Sequence, residues 1–174
     1  MNKILVLGAA AALSLAACAT TGNDSKSGMV TLQAKSNSQV SGTLAFMPMG
    51  DGLHITGEVT GLPANGSHAI HVHETGDCSA ADASSAGGHF NPMGAAHGRM
   101  NSGNHHVGDM DNLSANAEGV ATVNMQLSAM SLGTGAANDI VGKAVIVHAA
   151  ADDYTTQPTG NAGGRIACGI IEAL

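Results

Sequence analysis

The chain has 174 residues, six basic against thirteen acidic side chains, a formal net charge of −7 and only 2% aromatic residues. That balance excludes nucleic acid as a partner, which would need a basic patch, and the length suits one domain with a short extension. A core large enough to be stable can be built, but from Val, Ile, Leu, Met and Ala rather than from aromatics.

The first eighteen residues read as an export signal. Lys3 is followed by an apolar run from Ile4 to Leu15 and by the small residues Ala16 and Ala17, and the run is too short to span a bilayer. Leu15-Ala16-Ala17-Cys18 resembles a bacterial lipobox, in which the cysteine is lipidated and becomes the new N-terminus. The expected order is a signal peptide over residues 1–17, a lipid-anchored tether over 18–28 and one domain over 29–174. The tether, rich in Thr, Gly, Asn, Asp, Ser and Lys, has no apolar periodicity. The lipid makes a membrane the expected partner. The expected location is periplasmic or cell-surface, with the outer membrane favoured.

Beyond the tether, apolar and polar residues alternate in short runs. Met29–Lys35, Gln39–Phe46, Leu53–Val59, His68–His73, Gly119–Leu127, Lys143–His148 and Arg165–Ile171 are expected strands. Asp51-Gly52, Asn65-Gly66 and Glu118-Gly119 supply turn residues between them. No stretch carries a helical stripe, so the fold class is an antiparallel β-sandwich or barrel. The scattered methionines are expected to fill its core.

Histidine is concentrated between residues 68 and 109, at His68, His71, His73, His89, His97, His105 and His106, with Asp109 closing the stretch. On a strand, His71 and His73 point to one side and Val72 to the other, so the two imidazoles can grip one ion. His89, His97, His106 and Asp109 lie among glycines, Asn91 and Pro92, as on a long irregular loop that a metal would tie. Imidazoles with one carboxylate and no thiolate suit copper and zinc, whereas calcium and magnesium ask for oxygen donors. Two ions would need a shared ligand, and His89, between the two groups, can bridge through both ring nitrogens. His148, closing the apolar run Val145-Ile146-Val147, is a fourth donor for the first ion. With Cys18 lipidated, Cys78 and Cys168 remain as a pair in an oxidising compartment, and a disulfide is the natural inference.

Read together, several fragments resemble one family, the copper,zinc superoxide dismutases. They are His71-Val72-His73-Glu74, Gly88-His89-Phe90-Asn91-Pro92, His97-Gly98, His106-Val107-Gly108-Asp109, Val147-His148 and the run from Thr159 to Gly169. The resemblance implies an eight-stranded Greek-key barrel with long metal-binding loops. It implies copper on His71, His73, His89 and His148, and zinc on His89, His97, His106 and Asp109. Asp152 matches an aspartate that ties a copper histidine to a zinc histidine, and Arg165 matches a cation beside the copper. Cys78 and Cys168 match an intrasubunit disulfide, and His68 a structural histidine. His54 and His105 match nothing functional.

The implied activity is disproportionation of superoxide to dioxygen and hydrogen peroxide by copper redox cycling, with a structural zinc and with His89 and Arg165 as catalytic groups. The alternative is a lipoprotein of the same fold that buffers copper and zinc without catalysis. The chain departs from the family in having no lysine between His148 and Arg165, so attraction of the anionic substrate is expected to fall to Arg165 and the metals, helped by Lys143 or Arg99. Monomer and homodimer are both compatible with the sequence.

Overall fold

The structure, a computed structural model, describes residues 26–174. The signal peptide, Cys18 and most of the tether lie outside the described residues. Ten strands follow: β1 (Gly28–Ala34), β2 (Ser41–Met49), β3 (Gly52–Thr60), β4 (Ser67–His68), β5 (Ile70–His73), β6 (Leu113–Ser114), β7 (Ala121–Leu127), β8 (Ala144–His148), β9 (Arg165–Ile170) and β10 (Glu172–Ala173). Among the described residues the one helical piece is a 3-10 turn at Ser84–Ala86.

Eight strands make one antiparallel sheet in the order β5-β8-β9-β1-β2-β3-β7, with β10 added to β1. The chain crosses from β3 to the far edge at β5, and returns from β7 to β8, which is Greek-key wiring. β4, just ahead of one edge strand, pairs with β6, just ahead of the other, and so draws the two edges together. The sheet curls into a barrel because one face of it is apolar. Val30, Leu32, Leu44, Phe46, Ile55, Val59, Val123 and Leu127 alternate with polar neighbours and fill a single core.

β5 and β8 break this alternation, being buried at every position. Ile70, Val72, Val145 and Val147 face the barrel core. On the opposite face, Ala144 and Ile146 join Ala83, Ala86 and Cys168 in a second cluster, and His71, His73 and His148 are buried as well. Strands covered on both sides are therefore what the site is built upon: one face anchors them and the other carries the donors.

Several boundaries differ from the expected ones for local reasons. The run His68–His73 is split at Ala69, whose N–H donates to the Ala150 carbonyl and whose carbonyl accepts the His148 N–H. Gly28, assigned to the tether, is already paired in β1, opposite Phe46 and Ala173. The β2–β3 hairpin turns at Gly50 (φ 59°) and Asp51, while Gly52 belongs to β3 and pairs with Met49. The expectation for methionine holds only in part. Met110 and Met130 are buried and Met100 and Met125 pack on the core, but Met29, Met47, Met49 and Met93 are exposed.

Candidate metal centre

Two nests of donors meet at one imidazole. A ligand atom from each of His71, His73, His89 and His148 lies within 4.8 Å of the others, and the same is true of His89, His97, His106 and Asp109. β5 supplies His71 and His73, the end of β8 supplies His148, and the loop between β5 and β6 supplies the rest. That loop is stitched to the edge of β5 by bridges of His73 with His89 and of His71 with Asp109.

Four ring nitrogens facing away from the nests are held. His71 Nε2–H donates to Asp152 Oδ2 at 2.8 Å, and His97 Nε2–H donates to Asp152 Oδ1 at 2.9 Å. His73 Nδ1–H donates to the Gly87 carbonyl at 3.0 Å and His148 Nδ1–H to the Gly163 carbonyl at 3.3 Å. In a neutral ring the other nitrogen then carries a lone pair, and those lone pairs point into the nests.

Without a cation this arrangement is unfavourable. His73 Nε2 and His148 Nε2 face each other at 3.4 Å. His97 Nδ1 lies 3.1 Å from Asp109 Oδ1, a lone pair against an anion. His71 Nδ1 and His89 Nε2 are buried with no hydrogen-bond partner at all. A positive ion between the donors turns each of these costs into a bond, so the residues fit metal ions at both places. In the second nest the contacts run from 2.8 Å (His89 Nδ1 to Asp109 Oδ1) to 3.4 Å (His89 Nδ1 to His106 Nδ1). The edge of a tetrahedron with zinc-type bonds is about 3.3 Å.

Burial also keeps three of the rings neutral and ready to ligate. Desolvation, with neighbouring histidines adding to it, holds His73 at about 2, His148 at about 3 and His89 at about 4, against an ordinary 6.5. Burial pushes the Asp109 carboxyl up, but hydrogen bonds from His106 and His89 outweigh it and hold the group well below the usual carboxylate range. Asp152 is lowered in the same way, burial being outweighed by His71 and His97.

Residues away from the donors set their positions. The Gly108 carbonyl accepts the Val72 N–H, the Val72 carbonyl accepts the Phe90 N–H, and the Phe90 carbonyl accepts the Gly108 N–H. A Cβ on Gly108 would sit 2.1 Å from the Val72 carbonyl oxygen, so only glycine allows the loop this close to β5. Gly160 (φ +65°) does the same over the bridging carboxylate, where a Cβ would fall 1.7 Å from Asp152 Oδ1. Gln157 grips the His97 backbone twice at 2.8 Å, accepting its N–H and donating to its carbonyl. Asn112 grips the Asp152 backbone likewise, at 2.8 and 2.9 Å. Sequence reading missed Gln157, Asn112 and the Gly87 and Gly163 carbonyls. Neither amide belongs to a donor pattern, and a carbonyl has no residue signature.

Arg165 opens β9 and lies opposite His148, at an irregular point in the pairing of β8 with β9. Its Nη1–H donates to the Ala83 carbonyl and its Nη2–H to the Gly87 carbonyl, each at 2.7 Å. The loop offering those carbonyls is tied to β9 by a disulfide between Cys78 and Cys168, whose Cα atoms are 5.8 Å apart. The other two cations named from sequence are engaged elsewhere. Arg99 bonds Asp111 at 3.0 Å, and Lys143 donates to the Glu74 carbonyl with its Nζ 4.6 Å above the Phe90 ring. His68 is buried under the site, its Nδ1–H donating to the His148 carbonyl at 3.0 Å. His54 and His105 lie outside both nests.

A Greek-key β-barrel carrying two four-donor nests fused at one histidine defines a binuclear metalloprotein with a mainly imidazole ligand set. Residues 40–171 match the family described as Copper/zinc superoxide dismutase. Two relatives from Aquifex aeolicus are similar to the chain. Superoxide dismutase [Cu-Zn] 2 is 38% identical over 136 residues, covering 76% of this chain and 80% of its own. Superoxide dismutase [Cu-Zn] 1 is 37% identical over 134 residues, covering 75% and 79%. Among solved structures, a double mutant of a SOD-like protein from Bacillus subtilis superposes with a TM-score of 0.74 at 38% identity, covering 82% of this chain and 95% of that one. The clock protein EA4 gives 0.77 at 37% identity, covering 86% and 95%. The chain belongs to the copper/zinc superoxide dismutase family of oxidoreductases, whose cofactors are copper and zinc.

Proposed function

We propose that this chain disproportionates superoxide, with copper held by His71, His73, His89 and His148 and zinc held by His89, His97, His106 and Asp109. The observation that carries the reading is the pair of nests with inward lone pairs, joined at His89 and backed by one carboxylate. Copper, when bound there, supplies the one-electron couple that oxidises one superoxide to dioxygen and reduces a second, which leaves as hydrogen peroxide with two protons; zinc has no redox role.

The protein's own groups do the rest. Arg165 presents a fixed guanidinium beside His73 and His148, to attract and orient a small anion. His89 Nε2, buried and unpartnered in the protein, is the atom that takes up and hands on one of the two protons. Asp152 keeps the His71 and His97 rings in the tautomer that faces inward. The loops exclude bulk water, since every donor is less than 7% exposed.

Arg165 also separates catalysis from storage. Its guanidinium bonds backbone carbonyls and none of the seven donor side chains, so it is the fixed charge, which storage does not need, that marks it for catalysis. Arg165→Ala is expected to keep both metals and to lose roughly tenfold or more in rate at low salt; less than a few-fold loss would contradict the proposed role. We further propose lipid attachment at Cys18 and an exported, membrane-held location, on the strength of Leu15-Ala16-Ala17-Cys18. Metabolic labelling with a radioactive fatty acid should mark the wild-type chain and not Cys18→Ala; equal labelling would contradict it.

A further inference from the structure

Four methionines are exposed on the described surface, and two of them are grouped in a way core packing does not explain. Apart from Met29, the outward positions of β1, β2, β3 and β7 are otherwise small or polar, among them Thr31, Thr43, Ala45, Thr56, Glu58, Thr122, Asn124 and Gln126. Met47 and Met49 stand in this series, 55% and 42% exposed. They are separated by Pro48 and project from the same face of β2. β1 pairs with β2 only as far as Phe46, so among the described residues no strand flanks this end of β2 on that side. Pro48, which has no N–H to give, is placed where none is needed.

The residue directly across from Met47 is His54. Cross-strand neighbours have Cβ atoms about 5 Å apart, and residues two apart on one strand about 7 Å, within reach of a thioether. His54 Nε2–H donates to Asn124 Oδ1 at 2.7 Å, which leaves Nδ1 with a free lone pair. A ligating imidazole is commonly held in this way by its far nitrogen. Met29, 38% exposed and paired with Ala45, is diagonal to Met47 and adds a third thioether nearby. The side chains flanking Met47 and His54, namely Ala45, Thr56, Asn124 and Gln126, are uncharged; the carboxylates nearest in the register are Asp51 at the hairpin tip and Glu172, which pairs with Met29.

We infer that Met47, Met49 and His54 form a surface site for Cu(I), separate from the buried nests. Two uncharged thioethers and an imidazole are soft donors that select cuprous ion and discriminate against zinc and hard divalent cations. In the sheet the site lies on β2 and β3, which β1 and β9 separate from β8 and β5. It is solvent-facing, where an ion can be taken up and released, whereas the nests are closed over.

The test is an anaerobic Cu(I) titration of the mature protein carrying its resident copper and zinc, against a chromophoric Cu(I) chelator, with Met47→Leu/Met49→Leu and His54→Gln alongside. The wild type is expected to take one Cu(I) per chain more than the methionine variant, with at least tenfold weaker binding in His54→Gln and resident metal unchanged in all three. Because the reading is a difference between surface variants, it stands whether or not the buried centre turns over superoxide. Equal Cu(I) uptake by wild type and both variants would overturn the site. So would a titration with Ag(I) that left the Met47 and Met49 methyl resonances unmoved at one equivalent.

Discussion

His71 and His97 are held by the two oxygens of one carboxylate: Asp152 Oδ2 takes the Nε2–H of the first and Oδ1 that of the second, 2.8 and 2.9 Å away. One ring belongs to each nest, so a single side chain fixes the spacing of both. The Asp152 backbone is in turn held by Asn112 and its side chain roofed by Gly160.

Asp152→Asn follows directly. An amide offers one acceptor oxygen, so one of the two N–H groups loses its partner and faces an NH2 instead. Metal affinity should fall roughly 10- to 100-fold at one or both nests, with superoxide turnover falling alongside. Competition against chelators of known strength reads this, and unchanged affinities for both metals would show the bridge to be incidental.

The disulfide links stability to catalysis. Cys78 and Cys168 are 90 residues apart, and a loop of that length restricts the unfolded chain by about 4 to 5 kcal/mol on the chain-entropy model, commonly less in practice. The same bond ties to β9 the loop whose Ala83 and Gly87 carbonyls hold Arg165. Cys78→Ala/Cys168→Ala should therefore lower the melting temperature and also the turnover per bound copper. A variant less stable but equally active per copper would show that Arg165 is held without the bond.

Acid should weaken the metal-free protein early. His73, His148 and His89 titrate at about 2, 3 and 4 when folded, against an ordinary 6.5. Between those values and 6.5 the unfolded chain binds more protons, so stability rises with pH and is lost as pH falls from 6.5. The depressed carboxyls of Asp109 and Asp152 act in the same direction, lower on the scale. Thermal unfolding of metal-free protein between pH 7 and 4 reads the slope, and a melting temperature flat across that range would contradict it.

The donors were legible in the sequence because their chemistry is written in side chains. His71 and His73 straddle a core valine, and the spacing from His106 to Asp109 brings a carboxylate back to the same nest. What positions them was not. Gly87 and Gly163 act through carbonyls, and Gln157 and Asn112 through backbone grips that any amide in a loop could make. The two-residue strands β4, β6 and β10 are too short for a period to show. Composition alone could not place the methionines either, because the face a side chain takes depends on the register of its strand.

His89 belongs to both donor nests, and the role proposed for each metal depends on it. The measurement that bears on it most directly is metal content and superoxide consumption of the same sample, for protein loaded with copper and zinc and for its His89→Ala variant. About one copper and one zinc per chain are expected in the nests, with rapid turnover abolished by chelating copper and impaired retention of both metals in the variant. Stoichiometric metals without turnover, or full binding of both by His89→Ala, would contradict it.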